Sequence, residues 1–130
     1  MLKKSVTPGC LATALAMLSF QVAAHHSVAV YDRTKEVTLT GTVKSFQYTN
    51  PHSWLVVDVL EKNGKVTTWG FESEGPSSLM RAGIRKSDLA PGTKIVVVGN
   101  PMKDGRTAGT FVKATRLSDG KVFDPHKVDQ

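Results

Sequence analysis

An apolar/polar alternation from Val37 to Val43, two further β-branched runs, and a single helical stretch between Gly75 and Pro91 predict an all-β domain with one short helix. The 130-residue chain has room for one such domain, and 40% hydrophobic with 22% charged residues is a globular balance rather than a disordered one.

The first two dozen residues stand apart. Lys3 and Lys4 form a short positive segment, and Leu11 to Phe20 is an apolar run without a charge. That is the layout of a cleaved export signal, too short for a stable bilayer anchor. Val22 and Ala24 fit the −3 and −1 positions of a signal-peptidase site, so cleavage is expected after Ala24 with His25 as the new first residue. The run has no polar face, which argues against a buried amphipathic helix. Cys10 precedes the apolar run, whereas a lipoprotein cysteine follows it; once the signal is gone, no thiol remains for a disulfide, a thiolate metal site or a cysteine nucleophile. Of 17 basic residues, 15 survive cleavage against 11 acidic ones, a net of +4 spread as single Lys and Arg residues. A periplasmic or secreted protein without a membrane anchor is expected.

The elements follow in order. The first strand runs from Val37 to Tyr48, with Gly41 where a barrel's first strand bends or bulges. Thr49-Asn50-Pro51 ends it, because proline donates nothing to a ladder, and Ser53 to Leu60 resumes as the second strand. Asn63-Gly64 is a hairpin signal, both residues tolerating positive φ, and the third strand runs from Val66 to Glu72. Pro76 opens a helix carrying Leu79, Met80, Ala82 and Ile84, and Ser87 is the expected cap of a second turn ending at Leu89. Thr93 to Gly99 is the fourth strand and Gly109 to Leu117 the fifth, joined by a turn at Lys103-Asp104-Gly105. The order β-β-β-α-β-β is that of a small five-stranded OB-fold-like barrel; the rival arrangement of the same elements is an open α+β sheet. The expected division is a signal peptide at 1–24, the barrel at 25–120, and a polar C-terminal tail at 121–130 in which Val122 and Phe123 are the residues able to dock.

Chemistry is sought first at the histidines. A free α-amine and imidazole on His25 chelate Cu(II), the imidazole of His26 offers a second mode, and His52, held at a proline turn, is the third candidate ligand. His126, in the tail, is the weakest. The plain alternative is that His25 and His26 are solvated and His52 bonds to its own turn. Along the second strand, His52, Trp54, Val56 and Asp58 share one face, while Leu55, Val57 and Val59 share the other and form the expected core. Trp54 is therefore a candidate ligand-stacking residue on the face where OB-folds bind, or else a packing residue. Asp58, Glu61, Glu72 and Glu74 belong to no G-x-S-x-G, H-E-x-x-H, P-loop or paired-carboxylate pattern, and Glu72 and Glu74 read as a polar strand end. The export signal and weak charge excess argue against nucleic acid.

His25-His26-Ser27, Tyr31-Asp32, Thr38 to Val43, Thr49-Asn50-Pro51-His52-Ser53-Trp54, Trp69, Arg81 with Gly83, Pro91-Gly92 and Asp119-Gly120 together resemble domain-of-unknown-function family 6152, over nearly the whole mature chain. The resemblance implies a small exported bacterial protein and supplies no activity. Tyr48 and Ile84 stand where members often carry Trp, so an aromatic box requiring every ring is not implied.

These readings converge on a noncatalytic exported binding module, with copper or a similar transition metal as its sharpest ligand. An envelope protein partner without metal is the alternative, and a small hydrolase or redox enzyme a lower one.

Overall fold

The computed structural model describes residues 28–127. The export signal, its cleavage site, His25 and His26 lie outside them. After a 3-10 turn at Val28–Val30 come β1 (Val37–Gln47), β2 (Ser53–Leu60), β3 (Val66–Ser73), α1 (Pro76–Arg81), a 3-10 turn at Lys86–Leu89, β4 (Lys94–Gly99), β5 (Ala108–Thr110), β6 (Lys113–Arg116) and β7 (Val122–Phe123). They form one seven-stranded sheet of order β5-β3-β2-β1-β4-β6-β7. Every pairing is antiparallel except β3 with β5.

The expected five-stranded barrel is thus corrected to a mostly β protein whose seven-stranded ladder does not close on itself. Two causes add the strands. The last expected strand breaks at Phe111-Val112, where Phe111 N–H donates to Glu72 O and Val112 N–H to Val98 O, so the chain leaves β3 and joins β4. Beyond it, Val122–Phe123 pairs with β6, and Phe123 is buried.

β1 divides its length between two partners: residues from Val37 to Thr42 pair with β4, and those from Thr42 to Gln47 with β2. The irregularity falls at Lys44, which the β1–β2 register skips, and not at Gly41 as expected. Gly41 instead permits close approach, since a Cβ there would stand 2.6 Å from Asp58 O and from a Val57 methyl. At the β2–β3 hairpin only Gly64 takes positive φ, at 82°; Asn63 contributes its side chain, accepting the Lys65 N–H at 2.9 Å.

Pro76 occupies the first turn of α1, whose Leu79 is buried, and Gly83, at φ 74°, follows the helix. Ser87 lies inside the second turn and does not cap it; the Asp88 carboxylate accepts the Arg85 N–H at 2.8 Å instead. The Tyr48 hydroxyl donates to Ile84 O at 2.8 Å, tying β1 to the segment after α1. This hydroxyl bond is one that a Trp at the same place would lack.

Burial along β2 alternates as its sequence predicts, with Leu55, Val57 and Val59 inside. Phe71, Leu79, Ile95, Val97, Phe111 and Phe123 complete most of the core. Among the described residues no helix is long and apolar enough to cross a membrane.

Candidate functional site

A cavity of about 240 Å³ opens where the start of β2 and the end of β3 meet the N-terminal segment and the C-terminal arm. Its lining includes Tyr31, Arg33, His52, Glu72, Ser73, Glu74 and His126. Two features of the chain bring them together.

The first is the hairpin register. Ser53 pairs with Ser73 and Trp54 with Glu72, which puts Glu72 one diagonal step from His52 on the same sheet face. The turn before β2 is held locally: Ser53 Oγ donates to Thr49 O at 3.3 Å, Thr49 Oγ1 donates to His52 O at 3.0 Å, and the Asn50–Pro51 peptide is cis. His52 then faces Glu72, its Nδ1 3.5 Å from Glu72 Oε1.

The second is the N-terminal segment, which runs beside the loop between β4 and β5. Asp32 N–H donates to Pro101 O at 2.8 Å and Lys103 N–H to Val30 O at 2.9 Å. This crossing lowers Tyr31 onto β3, where its hydroxyl donates to Glu72 Oε2 at 2.5 Å. Tyr31 is 4% exposed. Burial first, then the hydrogen bond to the Glu72 carboxylate and its negative charge, push its phenol well above the ordinary value of 10. It therefore remains a donor throughout the neutral range.

Glu72 is consequently bonded at one oxygen and faced by an imidazole at the other, with its side chain only 13% exposed. Beside it, the Ser73 hydroxyl is buried and has no hydrogen-bond partner among the described residues, a costly state unless something in the cavity satisfies it. Asn100 and Thr110, also in the lining, bond to each other at 3.0 Å.

Of the residues singled out from sequence, His52 lines the cavity half-exposed, and His126 reaches it from the C-terminal arm. Trp54 shares the face of His52 but lies outside the lining, its ring packed over Gly70. His25 and His26 precede the described residues. Among the described residues no group of three or more His, Cys, Asp or Glu side chains is arranged to hold a metal ion. Glu72 was not legible in the sequence, because a two-residue Asn63-Gly64 turn would set it opposite Leu55; the loop instead holds three residues, Glu61 N–H donating to Lys65 O, and Glu72 falls opposite Trp54. Tyr31 stood out only through the family resemblance, because its partner is 41 residues away.

Chemically, a carboxylate facing Nδ1 favours the proton on that nitrogen and frees Nε2 to bind a metal or accept a proton.

A family model described as a family of unknown function, DUF6152, matches residues 13–113, and the chain belongs to that family. The matched span contains Tyr31, His52 and Glu72 and stops short of His126. No curated protein and no solved structure matches.

Proposed function

We propose that this member of the DUF6152 family is an exported, noncatalytic binding module that takes a late transition metal, copper first, at the His52 cavity. His52 and the processed N-terminus, with the His25 amine and imidazole and the His26 imidazole, supply the nitrogens. One observation carries the reading: the Tyr31 side chain bonds Glu72, the same carboxylate that faces His52. A 3-10 turn at Val28–Val30 precedes Tyr31, and His25, His26 and Ser27 lead into it, a reach of about 10 Å at ~3.3 Å per residue when extended. The unpartnered Ser73 hydroxyl in the same cavity adds a polar group for a ligand or its bound water.

The same reading takes the sheet as an interrupted OB-type barrel. The segment from Ala108 to Arg116 pairs first with β3 and then with β4, the two partners that close such a barrel.

The test is Cu(II) titration by calorimetry and electron paramagnetic resonance, on protein verified by mass to begin at His25. Tight one-to-one binding with a nitrogen-rich spectrum is expected, weakened about tenfold or more by one added N-terminal residue and by His52→Ala, or ~1.4 kcal/mol. Binding indifferent to both changes sinks the reading. It would favour the alternative of an envelope protein partner engaged through the exposed face, in which Trp54→Ala is the damaging change.

A further inference from the structure

We propose that Glu72 and Tyr31 are positioning residues for His52: the Glu72 carboxylate fixes the proton on Nδ1, leaving Nε2 as the ligand atom, and the Tyr31 hydroxyl holds Glu72 in place. The inference rests on the metal reading for its ligand, but its geometry stands within the described residues alone.

Three observations carry it. Glu72 is the acidic group facing the His52 ring, Oε1 lying 3.5 Å from Nδ1. That separation is long for a hydrogen bond, so the two groups are close neighbours rather than bonded partners. Oε2 is already engaged by Tyr31, which is buried against β3 and so restrains rotation of the carboxylate. The carboxylate is also shielded, at 13% side-chain exposure, so its pull on the imidazole is screened less than that of an exposed glutamate. A metal-binding histidine ordinarily donates its other N–H to such a group, which sets the tautomer and raises ligand basicity; removing that partner commonly weakens metal binding 10–100-fold.

The arrangement assigns unequal parts to the two residues. Glu72 acts directly on the ring. Tyr31 acts through Glu72, and its phenol stays protonated well beyond neutral pH, so the restraint does not lapse where the protein works.

The experiment uses metal-free mature protein labelled with ¹⁵N. Long-range ¹H–¹⁵N correlation of the His52 ring reads its tautomer, and Cu(II) alone is then titrated into wild type, Glu72→Gln and Tyr31→Phe. Neutral wild-type His52 is expected to carry its proton on Nδ1. Glu72→Gln should mix the tautomers and weaken Cu(II) binding about tenfold or more, with Tyr31→Phe acting in the same direction and less. A wild-type ring protonated on Nε2 overturns the proposal without recourse to any variant that fails to fold. So does a tautomer unmoved by Glu72→Gln.

The two readings fail separately. If the tautomer responds to both substitutions while copper ignores the N-terminal extension, the metal reading falls and the positioning of His52 stands. If copper requires the free N-terminus while the tautomer never responds, the positioning falls alone.

Discussion

At the Lys94 end of β4, Arg116 gathers partners from three elements of the chain. It donates to both oxygens of Asp119, at 3.0 and 2.6 Å, and to Asp88 O at 2.9 Å, while its guanidinium lies 5.2 Å from the centre of the Phe123 ring. Lys121 completes the group, 3.6 Å from the Asp88 carboxylate and 5.0 Å from the same ring. At the other end of β4, beyond Gly99, similar residue types give the opposite outcome. Glu72 has a phenol at one oxygen and an imidazole held at arm's length at the other, and the Ser73 hydroxyl has no partner among the described residues. The first cluster is chemically saturated and holds the C-terminal arm down. The second keeps bonding capacity in reserve around a cavity, which makes it the candidate site and the first a strut.

If the arm is a strut, the largest effect should come from its buried ring. Phe123→Ala removes a core aromatic that is 1% exposed, and a loss of about 3–5 kcal/mol in unfolding free energy is expected. A denaturant midpoint unchanged by the substitution would show that β7 merely rests on the sheet and would erase the contrast.

Alkaline titration sharpens the cavity side. The phenols of Tyr31 and Tyr48 are both pushed up, each by burial first. A raised pKa means that the folded state favours the protonated phenol. The associated stability is fully present below the unfolded value near 10 and is lost as pH rises through the folded one. Tyrosinate absorbance should therefore lag behind pH 10 in the native protein and appear together with unfolding. Tyr31→Phe should flatten that alkaline loss. Two phenols ionising near pH 10 without unfolding would contradict the burial of Glu72's partner.

The smallest effect belongs to the saturated cluster's rim. The Arg116 guanidinium first, then the Lys121 backbone N–H, hold the Asp119 carboxyl down at about 2. With a depressed folded pKa, its contribution is present above the ordinary carboxylate value of 3.8 and disappears as pH falls toward 2. Asp119 is exposed, so Asp119→Asn should lower the melting midpoint only slightly at neutral pH. The difference should vanish in acid and shrink in 1 M salt. A substantial difference that survives both conditions would mean that the pair is more than a surface contact.

The contrast between the clusters also separates what could be read in advance from what could not. β2 spans Ser53–Leu60 as its alternation predicts, β3 runs one residue further than expected, and β4 starts one residue later. Those signals are local, because alternation and a turn residue act over a few positions. The misplaced features of the sheet depend on partners distant in sequence. The skip at Lys44 answers the change in β1's partners, and the break at Phe111-Val112 answers a chain passing between β3 and β4. Ser87 lost its capping role to Asp88 by a single position. At the site, His52 was legible because histidines are few and a proline turn precedes it, whereas Glu72 looked like an ordinary strand-end glutamate until the hairpin register set it beside His52.

A mostly β protein of the DUF6152 family, the inward face of β2 and one short helix are all readable from the chain alone, since periodicity, turn chemistry and family motifs are carried by neighbouring residues. That Tyr31 meets Glu72, that Glu72 faces His52, and that Ser73 is buried without a partner among the described residues follow from the packing of separate segments. Those contacts arise where non-adjacent segments close on one another. Their energies depend on burial and geometry that no single stretch of the chain contains.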